Sequence, residues 1–136
     1  AASDVYKRQA LDNGVYYAHF LILGGYGDTR ENVRETIENS RRMEYTVMFP
    51  YAGMRIYPHT RLAELAAKEG AIGRDDDLMA PSYYISRDFD LEEVRRAALA
   101  TGKAWVFPDD PQSALADTLR LKRNKKGPLW EYLRKP

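Results

Sequence analysis

The junction at residues 15–29 constrains this chain more than any other feature. The run Val15-Tyr-Tyr-Ala-His-Phe-Leu-Ile-Leu23, aromatic, branched and almost unbroken in apolarity, leads directly into Gly24-Gly25-Tyr26-Gly27. An apolar stretch of that size is far short of the ~20 residues of a membrane helix. It reads instead as a strand buried on both faces of a parallel sheet. The glycines end it, and Asp28 followed by Glu31 predicts a capping box that opens a helix to about Met43, with Val33 and Ile37 inward. Arg41 and Arg42 then suit the negative end of the helix dipole. A second strand is expected from Tyr45 to about Ala52, followed by Gly53 and a helix from Thr60 to Glu69 that Gly70 stops. Strand, glycine turn, helix, strand, turn, helix is a βαβα unit, whose crossover makes the strands parallel and the connection right-handed.

Beyond Gly70 the character changes. Arg74-Asp75-Asp76-Asp77 reads as a solvated connector, and Pro81-Ser-Tyr-Tyr-Ile-Ser86 as a short strand or an extended strap. Asp90 with Glu93 caps a third helix ending at Gly102, Trp105-Val-Phe107 is a short apolar segment, and Asp110-Pro111 opens a fourth helix with Leu115 and Leu119 as its buried pair. The tail from residue 120 sets Arg120, Lys122, Arg123, Lys125, Lys126, Arg134 and Lys135 against the single acid Glu131. Several of these cations fall at the end of the fourth helix, where they are favoured in any case, so neither nucleic acid nor membrane is strongly indicated.

Composition narrows the chemistry. The 136 residues are 44% hydrophobic and 30% charged with a net charge of +1, which fits one ordinary domain and not a disordered chain. No cysteine is present, so a disulfide, a thiolate nucleophile, a Cys-ligated zinc and an iron–sulfur cluster held by this chain alone are excluded. His19 and His59 are the only histidines, too few for a three-histidine metal centre, and no metal ligand is assigned. No secretion signal is evident, and a cytoplasmic location is expected.

The first residues lack helical or strand periodicity. Asp4 to Gln9, DVYKRQ, resembles the in-frame translation of a transposon-end adapter used to prepare sequencing libraries; the other reading is a frayed natural terminus. Residues 1–9 are accordingly expected to be a non-native leader on a chain that continues upstream. Two parallel strands alone leave hydrogen-bonding edges and apolar faces open, which independently calls for further βα units in the same sheet.

Two stretches carry candidate chemistry. The Gly24–Asp28 turn, between a parallel strand and a helix N-terminus, presents amides and a positive dipole end suited to phosphate, carboxylate or a nucleobase edge. It is neither a Walker loop nor a dinucleotide fingerprint, since no Gly-Lys-Ser/Thr follows and Arg30 stands where a third glycine belongs. The second stretch, Gly53-Met54-Arg55-Ile56-Tyr57-Pro58-His59-Thr60, lies at the end of the next strand, where parallel α/β folds bind ligands, and Arg55 suits a carboxylate. On the first strand Tyr16, Ala18, Phe20 and Ile22 form the more apolar face and should meet the helices. Tyr17, His19, Leu21 and Leu23 would face inward, making His19 a candidate for substrate contact or proton relay, beside its simpler reading as a hydrogen-bonded core histidine.

Together these stretches resemble the second half of a radical SAM enzyme. Leu21, Leu23, Gly25 and Asp28 fall on the fixed positions of that family's fifth-strand Gly-x-Ile-x-Gly-x-x-Glu pattern, with only the glycine identical and Leu21 a real departure. The phrase from Leu23 to Thr36 is similar to one common in the cobalamin-binding branch, and Tyr57-Pro58-His59-Thr60-x-Leu62 resembles the sixth-strand Tyr-Pro-Gly-Thr-x-Leu with His59 replacing glycine. The segment from Pro81 to Ser86 also resembles one that follows the barrel in cobalamin-type members.

The resemblance implies an α/β fold: residues 10–80 as the last two βα units of a partial (βα)6 TIM-like barrel, and residues 81–136 as a mainly helical extension with a basic tail. It also implies that backbone groups of Leu21, Ile22 and Leu23 meet the adenine of S-adenosylmethionine, that the turn with Gly24, Gly25 and Asp28 shapes that wall, and that Met54 and Arg55 form the neighbouring one. The [4Fe–4S] cluster ligands would lie upstream in the missing N-terminal half of the barrel. The substrate would be a small or lipid-type molecule, and cobalamin is a further cofactor of that branch. This piece alone would be inactive. Beside this stand an α/β enzyme whose glycine turn holds a phosphate, and a small α/β interaction module using the basic tail.

Overall fold

A computed structural model describes residues 2–108. The chain is α/β, with nine elements in the described residues: α1 (Ala2–Asp12), β1 (Tyr17–Leu23), α2 (Arg30–Ser40), β2 (Thr46–Ala52), β3 (Met54–Ile56), α3 (Arg61–Glu69), β4 (Ser82–Tyr84), α4 (Leu91–Ala100) and β5 (Ala104–Trp105). β1, β2 and β5 form a parallel sheet in the order β1-β2-β5, with Tyr17 opposite Thr46, Leu23 opposite Ala52 and Met48 opposite Trp105. β3 and β4 form a separate antiparallel pair.

Two apolar cores result. In the larger, Val33 and Ile37 of α2 and Val94 and Ala98 of α4 close on Leu23, Met48, Trp105 and Phe107. A side chain buried as fully as Ile37 contributes about 1.5–3 kcal/mol. In the smaller, Ala66 of α3 packs with Ile56, Tyr84 and Leu78. No described helix is long and apolar enough to cross a membrane.

Several sequence expectations change. Residues 1–9 are expected to lack helical or strand periodicity, yet α1 spans Ala2–Asp12, and its end turns into β1 through a Val15 N–H donated to Ala10 C=O at 2.8 Å. α2 is capped one residue later than Asp28: Thr29 is the N-cap and exchanges hydrogen bonds with Asn32, at 3.3 Å and 3.0 Å, so Asn32 takes the part given to Glu31. The helix ends at Ser40, leaving Arg41 as its C-cap, where it reaches back to Glu38. The segment after Gly70 is also less separate than expected. β4 pairs with β3 and β5 joins the main sheet, so residues 81–108 complete the α/β unit instead of starting a helical extension. The fourth helix expected from Asp110, with Leu115 and Leu119, and the basic tail lie outside the described residues.

The largest correction concerns the faces of β1. Leu21 and Leu23 lie in the core under α2 and α4, whereas Phe20 and Ile22 are 65% and 59% exposed on the opposite side. A strand apolar on both sides carries no signal of its own about which side the helices cover. That choice is set by the partners: the paired Met48 and Trp105 and the inward stripe of α2 fix the face that includes Leu21 and Leu23.

Candidate functional site at the carboxyl ends of the parallel strands

The glycines of the first turn are placed by close approach as much as by backbone freedom. Gly24 has φ +74°, and a Cβ there would lie 2.5 Å from the Phe89 ring. Gly25 sits against Met54, whose sulfur would be 2.8 Å from an added Cβ. Asp28 holds the turn shut: its Oδ2 accepts the Gly25 N–H at 3.0 Å, while its own N–H is donated to Gly25 C=O at 3.1 Å. With the Thr29 and Asn32 amides spent in the capping box, much of the donor set that an anion cradle would need is already engaged.

The two strand ends are tied together from above. Gly53 donates its N–H to Leu23 C=O at 2.7 Å, and Ser86 donates its N–H to Gly24 C=O at 2.8 Å and its hydroxyl to Asp28 C=O at 3.0 Å. The segment from β4 to Phe89 therefore straps the turn. Sequence reasoning marked residues 81–86 as a strap but missed Ser86 and Phe89 as partners of Gly24. A signal for Phe89 exists, because it precedes the N-cap Asp90 and shares a core with Val94, the hydrophobic staple pattern. No comparable signal marks Ser86. Below the strap, Tyr84 donates its hydroxyl to a Glu69 oxygen at 2.8 Å, and that hydrogen bond with burial raises the phenol above its ordinary pKa.

Of the residues singled out from sequence, Leu21, Ile22, Leu23, Gly24, Gly25, Asp28, Met54 and Arg55 all lie at or near the carboxyl ends of β1 and β2. Their parts differ. Leu21 and Leu23 turn their side chains into the core, Ile22 points to the open face, and Asp28 is a turn lock. Met54 and Arg55 are exposed in β3 opposite Tyr84 and Tyr83, and the Arg55 guanidinium lies 4.9 Å over the Tyr57 ring. With Tyr26 and Tyr57 also exposed, this end offers apolar and aromatic surface beside one guanidinium fork, chemistry suited to a flat ring and a carboxylate.

His19 is not brought to this end. It lies four residues before Leu23, about 13 Å along the strand, on the helix-covered side and not the inner side expected. Its ring meets Tyr17 edge-on, its Nε2 is buried without a hydrogen-bond partner among the described residues, and its pKa is lowered first by burial and then by Lys7. Between α2 and α4 a cavity of about 20 Å³, lined by Val33, Ile37, Phe89 and Val94, has room for little more than a water molecule. Among the described residues no group of three or more His, Asp or Glu is placed to hold a metal ion. Without a cysteine anywhere in the sequence, the donor set does not fit an iron–sulfur cluster. No protein-family model, curated protein or solved structure matches the chain.

Proposed function

We propose that this chain is the C-terminal part of a radical SAM barrel, in which the ends of β1 and β2 form one wall for S-adenosylmethionine. The observation that carries this reading is a parallel sheet that, among the described residues, α2 and α4 cover on one side. Its second side presents bare Phe20, Ile22 and Tyr51, and its strand ends carry the Gly24–Asp28 turn and the Met54–Arg55 pair. A barrel wall needs that asymmetry: helices outside, apolar side chains inside and ligand groups at the carboxyl ends.

In this reading the backbone edge at Leu21, Ile22 and Leu23, with Gly24, Gly25 and Asp28 shaping the turn, borders the adenine. Arg55 meets the methionyl carboxylate as a fork, and Met54 supplies apolar contact beside it. Cluster binding and reductive cleavage of S-adenosylmethionine belong to the upstream half, and no step of that chemistry is assigned to residues of this chain. Long, untagmented reads of the source locus test the reading. It requires an upstream frame with Cys-x-x-x-Cys-x-x-Cys joined to Leu11 without DVYKRQ. A genuine start codon directly before Ala1 would overturn it.

A further inference from the structure

The β3–β4 hairpin has two unlike faces. Ile56 and Tyr84 turn inward and are buried in the smaller core with Ala66. Arg55 and Tyr83 stand directly opposite each other in the register, alternate with those two, and lie on the outward face. Tyr83 is 54% exposed and Tyr57 is 53% exposed. The ribbon beneath them is fixed at both ends, by the Gly53 N–H on Leu23 C=O at 2.7 Å and the Ser86 N–H on Gly24 C=O at 2.8 Å. Arg55 differs from Arg30, Arg34, Arg41 and Arg61, each of which meets a glutamate. Its Cζ lies 4.9 Å from the centre of the Tyr57 ring, and among the described residues no carboxylate or carbonyl accepts its N–H groups. Its neighbours on that face, Gly53, Tyr57, Tyr83 and Ile85, bring no acid.

We propose that Tyr57 is a positioning residue: it holds the Arg55 guanidinium with its donors free, so that the outward face of β3–β4 receives a carboxylate borne on an apolar group. A guanidinium over a ring uses only the face of its π-system, and its in-plane N–H groups stay available to a carboxylate. Held in this way, the side chain loses less rotamer freedom when the carboxylate arrives than an untethered arginine would. Tyr83, across the ladder, offers a ring to the group that carries the carboxylate. The inference rests on the functional reading for the identity of that carboxylate, the methionyl group of S-adenosylmethionine. It adds the residue that aims the fork.

Titration of the full 136-residue chain with sodium benzoate, followed by NMR of the arginine side chains, tests this. Before any ligand is added, the Tyr57 ring should shift the Arg55 δ-protons upfield. Benzoate should then move the Arg55 Nε–H signal saturably. Tyr57→Leu should abolish the ring shift and weaken benzoate about two- to fivefold, the worth of an exposed cation–π contact, while Tyr57→Phe keeps both. Arg55→Lys retains the charge without the fork and should bind more weakly than the parent chain. Unchanged amide signals of Ile56 and Ala66 report that the hairpin is still seated in each variant. A Tyr57→Leu chain that binds benzoate as the parent does would overturn the proposal, as would a parent chain whose Arg55 signal benzoate leaves unmoved. S-adenosylmethionine is the second probe: benzoate that it fails to displace leaves Tyr57 in its role and counts against the functional reading alone.

Discussion

At the scale of single residues, Gly53 does most to hold the site. Its φ is +76°, and a Cβ would meet Tyr84 C=O at 2.5 Å and the Ile85 side chain at 2.7 Å. A left-handed backbone and a backbone clash add, so Gly53→Ala should destabilise by about 2–4 kcal/mol, read as a thermal midpoint lower by roughly 8–20 °C. A midpoint unchanged within 2 °C would mean the strap is not seated on Gly53. The second residue-scale expectation concerns His19. Its pKa is lowered in the folded chain by burial and Lys7, so folding favours the neutral ring. Stability from this source is full above the unfolded value near 6.5 and is lost as pH falls through the lower folded value. His19→Phe keeps a ring beside Tyr17 and removes the proton, so its midpoint should fall less between pH 7 and pH 5 than that of the parent chain. Parallel pH curves for the two proteins would refute this.

At the scale of elements, what could be read in advance follows from how each signal is encoded. β1, β2, α2, α3 and α4 are written locally, in apolar runs, spacing and glycines, and they occur where the sequence places them to within a few residues, whereas α1 was not foreseen. The cap of α2 moved from Asp28 to Thr29 because both residue types cap helices and only the tertiary turn decides. The strap was harder to see, since Ser86 finds Gly24 across 62 positions and neither residue announces the other. The covered side of β1 was misjudged because its partners, not its own alternation, select it. β1 is also an edge strand among the described residues, and Tyr17–Leu23 carries no lysine and no proline. Such an edge invites pairing between chains. Phe20→Lys should lower light scattering of the concentrated chain while costing about 1 kcal/mol of stability, the value of its stacking on Phe49. Undiminished scattering in the variant would place association elsewhere.

At the scale of the whole molecule, the strap runs from Tyr84 in the smaller core to Phe89 against the larger, and so ties the two apolar cores together. α2 and α4 are further joined across their exposed faces by Glu93, which pairs with both Arg30 and Arg34, though exposed pairs of this kind contribute only a few tenths of a kcal/mol to about 1. The strap also bears on the order in which the molecule assembles. The hydrogen bonds of Gly24 to Ser86 and of Gly53 to Leu23 differ sharply in the loop each must close, 62 residues against 30. Loop closure entropy makes the longer one the later and slower event. During synthesis, β1, α2 and β2 emerge and pair before Ser86 and Phe89 exist as chain. For that interval the Gly24 turn is an unfinished site with its carbonyl unclaimed and its inner side uncovered, and the strap that brings Ser86 and Phe89 completes it.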